Sequence, residues 1–246
     1  PEDRGTVKND LKQLLYALLS EETKKTLPWG TLTGIRPTKI AKQLLEQGQT
    51  EQEVAAYMEH TYLASKEKTE LSIDIAKREM QILSGIHYEE GYSLYIGIPF
   101  CPTTCLYCSF TSFPICAWKN RVSDYLSAVE KEIDFVKKAC ADRVLDSVYI
   151  GGGTPSALGA ERLGRIIGAA REFSSSECET TVEINPFDAA KKNLDFALLR
   201  EAGVNRISMG MQSANDGERR ALGRLSGRDD VSLAVKRAQD AGIDNI

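Results

Sequence analysis

From Gly91 onward the sequence alternates between two patterns, and that alternation is what most restricts its fold. Ser93-Leu94-Tyr95-Ile96-Gly97-Ile98 reads as a short apolar strand closed by Pro99. Val122 to Lys138 then puts Tyr125, Leu126, Val129, Ile133 and Val136 on one helical face. Strand Ser147 to Ile150, helix Ala160 to Arg171, strand Thr181 to Ile184, a helix around Leu194 to Glu201, strand Arg206 to Met209 and helix Val231 to Ala241 follow, with a last strand beginning at Asn245. Short apolar strands separated by amphipathic helices predict a parallel sheet or barrel with its helices outside. In such folds, sites gather where the strands end. Here the ends are a cysteine loop, Gly151-Gly152-Gly153-Thr154-Pro155, Glu183-Ile184-Asn185-Pro186 and Gly210-Met211-Gln212-Ser213. In a barrel all four meet around one cavity.

The first ninety residues read as helices instead. Val7, Leu11, Leu14, Leu15, Leu18 and Leu19 recur at helical spacing. Pro37 opens a second helix that runs to about Glu46 and stops at Gly48. Thr50 and Glu53 form a capping box for a third, and a fourth runs from Ser65 to about Leu83. The expected organisation is therefore a helical N-terminal domain over 1–90 and a strand–helix core over 91–246.

With 246 residues, 42% of them apolar and 27% charged, the chain has the makings of an ordinary globular core. A net charge of −4 gives no basic surface for nucleic acid, and no apolar run is long enough to span a bilayer. The chain begins at Pro1 and stops at Ile246 inside an apparent strand, which predicts a piece of a longer protein whose remaining barrel strands and most substrate contacts lie beyond. Six cysteines without a signal-like segment predict a reducing, cytoplasmic setting.

Three of those cysteines, Cys101, Cys105 and Cys108, fall in the stretch IGIPFCPTTCLYCSFTSF as C-x3-C-x2-C. A structural zinc site needs four ligands; Cys116 is available as a fourth, but the spacing is not a usual one for zinc and no histidine follows closely. A disulfide leaves one thiol over and conflicts with the compartment. Inert core packing suits a loop rich in proline and threonine poorly. An iron–sulfur cluster with three thiolates leaves one iron open, and an open position is what makes a metal site reactive. Phe100, Tyr107, Phe110 and Phe113 then supply an aromatic surround that keeps water off. Cys140 and Cys178 read as structural, and His60 and His87 as isolated surface or helix-end residues. Arg36 and Lys39 read as solvated helix-end charges.

The triplet, with Tyr107 just before its last cysteine, resembles the radical S-adenosylmethionine (SAM) superfamily. Tyr95-Ile96-Gly97-Ile98-Pro99-Phe100-Cys101, GGGTPS, ExNP and GVNRISMGMQS resemble its oxygen-independent coproporphyrinogen III oxidase family, closest to the HemZ-type coproporphyrinogen dehydrogenase branch, which also matches TLTGIRPTKI. The resemblance implies a partial (β/α)6 radical SAM barrel, truncated at its C-terminus, behind a small all-helical domain. It implies a four-iron–four-sulfur (4Fe-4S) cluster on Cys101, Cys105 and Cys108, whose open iron is chelated by SAM. It implies that the reduced cluster cleaves SAM and that a 5′-deoxyadenosyl radical takes hydrogen from the substrate. It places Tyr95, with a catalytic role, behind the cluster near the SAM methionine, and Tyr107 beside the cofactors. Gly152, Gly153 and Thr154 contact the methionine moiety, Glu183 the ribose hydroxyls, and Gln212 and Arg224 the rest of SAM, Arg224 through its carboxylate.

The reaction implied is oxidative decarboxylation of two propionates of coproporphyrinogen III to vinyl groups, with an electron donor such as a flavodoxin or ferredoxin. Two positions depart from the family. Gly97 stands where the oxidases have histidine, and Phe110 where they carry a further cysteine, a feature shared with haem-chaperone relatives. The alternatives are a SAM- and haem-binding chaperone of the same family and a radical SAM enzyme with another tetrapyrrole or unrelated substrate.

Overall fold

The computed structural model describes residues 4–34, 36–110, 112–172, 174, 178–192 and 194–246. It contains two compact units that meet in sequence between Ile86 and His87.

The first unit is helical: α1 (Arg4–Thr23), α2 (Thr38–Glu46), α3 (Glu51–Tyr62) and α4 (Lys66–Leu83). Its boundaries follow local chemistry. Thr50 Oγ1 accepts the Glu53 N–H, and the Glu53 carboxylate accepts the Thr50 N–H at 2.8 Å, so two donors without helical partners are satisfied reciprocally. Ser65 caps α4 by accepting from the Lys68 N–H. Helices α2, α3 and α4 close over a small core of Ala41, Val54, Met58, Ile73 and Ala76, with Trp29, Leu32, Leu44 and Leu45 packed against it. The apolar stripe of α1 behaves differently: Val7, Leu11, Leu14, Leu15, Leu18 and Leu19 are all exposed.

The second unit is built on strands β1 (Gly91–Ile98), β2 (Phe100–Cys101), β3 (Phe113–Pro114), β4 (Val144–Gly152), β5 (Glu179–Ile184) and β6 (Arg206–Met209). Four of them form a parallel sheet in the order β1-β4-β5-β6. Asn245 makes a single parallel bridge to Arg206 on the far side of β6. The crossovers carry α5 (Ile115–Trp118), α6 (Val122–Ala139), α7 (Ala160–Arg171), α8 (Pro186–Lys191), α9 (Phe196–Glu201), α10 (Asp216–Ala221) and α11 (Arg228–Asp240).

The period-two alternation of a strand separates the two faces of this sheet. Ile96, Ile98, Val148, Ile150, Val182, Ile184 and Ile207 point outward, where they bury against Leu126, Val129 and Ile133 of α6, Leu163, Ile166 and Ile167 of α7, and Leu199 of α9. Each of these side chains contributes about 1.5–3 kcal/mol by leaving water. The opposite face carries Tyr95, Gly97, Tyr149, Gly151, Glu183 and Ser208. That face is partly polar and only partly buried, which is the arrangement of an opened (β/α) barrel with a site inside.

Several short elements lie outside the alternation read from the sequence. Helices α5, α8 and α10 and the short β2–β3 pair are each too brief to carry a hydrophobic period. They are set by caps and by contacts between loops. Helix α9 begins at Phe196 rather than near Leu194, because Asp195 caps it through the Leu198 N–H.

Candidate functional site

One cavity of about 280 Å3 gathers the four strand ends. Its walls include Cys101, Cys105 and Cys108, then Gly152, Gly153 and Thr154, then Glu183 and Asn185, then Gly210, Gln212 and Arg224. Tyr107 and Phe110 line it as well.

The glycine run is what lets the cysteine loop lie against β4. The Gly153 N–H donates to Ile98 O at 2.7 Å and the Thr154 N–H to Phe100 O at 2.8 Å. A Cβ on Gly153 would stand 2.9 Å from both Cys101 Sγ and Phe100 O. Gly152 adopts φ +110°, and a Cβ there would meet the backbone of Ile98 at 2.9 Å. The amide groups of Gly153 and Thr154 are thus spent on the neighbouring loop. The sequence assigned these glycines to close approach of a ligand; both line the cavity, and on the side where a Cβ would project they make room for the backbone that carries the cysteines. Thr154 Oγ1 adds a hydrogen bond to Cys101 Sγ at 3.4 Å.

Cys101 is buried, while Cys105 and Cys108 are partly open to the cavity. Burial pushes the Cys101 thiol up, the hydrogen bond from Thr154 opposes this, and the neighbouring Cys108 and Cys105 add to the rise. Among the described residues no group of three or more His, Cys, Asp or Glu converges tightly enough for a single metal ion. A zinc ion needs such convergence; a cubane takes each thiolate on a separate corner. Cys116 is exposed on α5, and Cys178 is part of the sheet's outer core. The aromatic surround is more open than expected: Phe100 is buried, but Phe110 is 71% and Tyr107 49% exposed. These rings flank the cavity and leave its mouth uncovered.

The segment after β6 wraps back onto the cysteine loop. Arg219, fully buried, donates to Ser226 O and Ser226 Oγ at 2.9 Å, Ser213 O at 3.1 Å and Gly227 O at 3.2 Å, closing residues 213–227 into one folded loop. From that loop the Leu222 carbonyl accepts the Leu106 N–H at 3.2 Å. Arg224 Nη2 donates to Tyr107 Oη at 2.7 Å, and its guanidinium lies 5.9 Å from that ring. Arg224 Nε is buried without a hydrogen-bond partner. A buried guanidinium donor left unpaired is costly, and on the wall of this cavity it suits an anionic group such as a ligand carboxylate. Gln212 holds a left-handed backbone at φ +70°, an uncommon conformation for a residue with a side chain. Its amide folds back over Gly210, where a Cβ would come within 2.6 Å.

Glu183 reaches the cavity from β5. Just past β4, Ser156 Oγ donates to the buried Asp188 at 2.7 Å and accepts the Asn185 N–H at 3.0 Å, both of which follow β5. The exits of β4 and β5 are therefore bolted together. Tyr95 does not line the cavity; it lies one row deeper, stacked on Tyr149 with centroids 5.7 Å apart. Tyr149 was not singled out from the sequence. Its position two residues before Gly151, hence on the same strand face, was the available signal. The donor set and the orphaned arginine nitrogen together fit a cluster and an anionic, hydroxylated ligand.

Residues 95–246 match the model of the radical SAM superfamily. The chain is 30% identical over 246 residues to the oxygen-independent coproporphyrinogen-III oxidase-like protein HemZ of Bacillus subtilis, covering 98% of this chain and 49% of that protein. It is 37% identical over 157 residues to the heme chaperone HemW of the same organism, covering 63% of this chain and 40% of HemW. Among solved structures, coproporphyrinogen III oxidase (HemN) from Escherichia coli, described as a radical SAM enzyme, aligns with a TM-score of 0.55 and 28% identity over 63% of this chain and 36% of that one. The chain thus spans about half the length, or less, of the relatives it matches. Members of the superfamily bind a 4Fe-4S cluster and SAM, and the cavity's donors accord with both. The chain belongs to the radical SAM superfamily.

Proposed function

We propose that this chain forms the cofactor-binding part of an oxygen-independent coproporphyrinogen III dehydrogenase. The observation that carries the reading is the convergence, in one cavity, of three thiols, a strand-borne glutamate and Arg224, whose Nε has no hydrogen-bond partner. Cys101, Cys105 and Cys108 would hold three corners of the cluster. Arg224 would pair with the SAM carboxylate, Glu183 with the ribose hydroxyls, and Gln212 and Thr154 with the rest of the ligand. Tyr95 would support the site from the row beneath. When bound, cluster and SAM supply a one-electron cleavage that produces a hydrogen-abstracting adenosyl radical. The protein's part is to orient these groups and to hold the substrate away from water. In the overall reaction each of two propionates loses CO2, one hydrogen atom and one electron to become a vinyl group. Residues 1–90 would form a helical accessory domain and 91–246 the core. The partners would be a tetrapyrrole and a small electron carrier, in the cytoplasm; among the described residues no helix is long and apolar enough to cross a membrane.

The choice of substrate leans on the similarity to HemZ, which runs through the helical region as well. A second reading, a SAM- and haem-binding chaperone, is favoured by Phe110 in place of a further cysteine and by the similarity to HemW. The complete protein, reconstituted anaerobically with iron and sulfide and then reduced, separates the two. Incubated with SAM and coproporphyrinogen III, the dehydrogenase releases 5′-deoxyadenosine in step with decarboxylated porphyrinogen, followed by mass spectrometry. Bound SAM with untouched porphyrinogen, and stoichiometric haem binding, would select the chaperone instead.

A further inference from the structure

On the inner face of the sheet, one residue organises two others. Tyr149 Oη donates to Glu183 Oε1 at 2.8 Å. The Tyr149 ring is held flat against Tyr95, with 10° between the planes. All of this is made possible by Gly151, where a Cβ would stand 2.8 Å from Tyr149 Cε1, 3.0 Å from Tyr95 Oη and 3.1 Å from Glu183 Cδ. The first glycine of the run is therefore an interior vacancy into which two phenols and a carboxylate fold.

We propose that Tyr149 is the positioning residue of Glu183, fixing its carboxylate in the orientation that receives the ribose hydroxyls of SAM. The inference rests on the reading of Glu183 as the ribose ligand. A glutamate on a strand has three rotatable side-chain bonds, and stilling them as a ligand arrives opposes binding. Tyr149 stills them beforehand. Its ring has two torsions, is packed on one side by Tyr95 and leaves only its hydroxyl to reach the carboxylate. An ionised carboxylate has about four acceptor positions. Tyr149 takes one, so acceptors remain for a vicinal diol on a group held in a single rotamer.

Tyr149→Phe keeps the stacking and the packing and removes only the donor. The test is a double-mutant cycle in the complete, cluster-loaded protein, read as the SAM dissociation constant by equilibrium dialysis, with iron content and thermal midpoint recorded. Tyr149→Phe is expected to weaken SAM binding roughly tenfold, as for a lost hydrogen bond to a charged group, with the cluster retained. In a Glu183→Ala background the same change is expected to cost less than about twofold, because the group it positions is gone. Equal affinity of Tyr149→Phe and wild type overturns the inference. So does an equal loss in both backgrounds, which is the signature of a packing role. If Glu183→Ala alone leaves SAM binding unchanged, the ribose reading of Glu183 fails and this inference falls with it. A loss on Glu183→Ala with none on Tyr149→Phe removes this inference alone.

Discussion

Arg224 and Tyr107, 117 positions apart in sequence, are joined by a hydrogen bond of 2.7 Å from Nη2 to the phenol oxygen. The bond ties the loop after β6 to the middle of the cysteine triplet, between Cys105 and Cys108. It also fixes which way the unpaired Nε of Arg224 faces. Arg224→Lys removes the planar fork and should weaken SAM binding at least about tenfold while leaving iron content intact. Tyr107→Phe, which only frees the guanidinium, should weaken it a few-fold. Equilibrium dialysis of the cluster-loaded protein measures both. Unchanged affinity in Arg224→Lys would remove Arg224 from the ligand site.

Gly153 has a steric task distinct from any ligand contact. Its missing Cβ is filled by Cys101 Sγ and by backbone, none of which is a flexible side-chain end that swings aside. Gly153→Ala should displace the cysteine loop and lower the iron and sulfide bound per chain, measured colorimetrically after reconstitution. Gly168 in α7 is the control, because a Cβ there meets nothing within 4 Å. Gly168→Ala should raise stability by about 0.4–1 kcal/mol in urea unfolding, through a less flexible unfolded chain.

Replacing Cys101, Cys105 or Cys108 singly by alanine should abolish cluster retention. The same replacement at exposed Cys116 should leave iron content unchanged. Loss of the cluster in Cys116→Ala would instead make Cys116 a fourth ligand and revive the closed four-cysteine site.

Asp230 gives a stability prediction with a defined pH dependence. Burial alone would raise its pKa. Lys191 at 2.9 Å, with the Gly227 N–H at 2.8 Å, outweighs that and holds the carboxyl below its ordinary value. A depressed folded pKa means the stabilisation is complete above the unfolded value, near ~4, and is lost as pH falls through the folded one. Asp230→Asn should therefore cost about 1–2 kcal/mol at neutral pH and progressively less below pH ~4. Paired urea titrations across that range test it; a constant difference at all pH values would mean that the charge of Asp230 contributes nothing.

The sequence by itself determined the alternation and its consequence. Period-two strands and period-3.6 helices are written in local side-chain order, so β6 and α7 could be read to the residue, and the capping box at Thr50 was equally visible. The C-x3-C-x2-C spacing and the residues at the strand ends named the chemistry, because each sits within a few positions of its own element. What only the tertiary structure decided is which of these residues face one another across strands. Gly151 and Gly153 look alike in sequence, yet one makes room for Tyr95, Tyr149 and Glu183, and the other for the cysteine loop. Tyr149 carries no motif; it matters because β4 lies between β1 and β5 and brings Tyr95 to one side of it and Glu183 to the other. The short helices α8 and α10 likewise exist because Asn185 and Asn215 cap them at loop junctions, where no hydrophobic period can run. Local order is encoded by neighbours in the chain. Pairings such as Arg224 with Tyr107 depend on strand order and loop closure, and these are set by burial of the whole sheet.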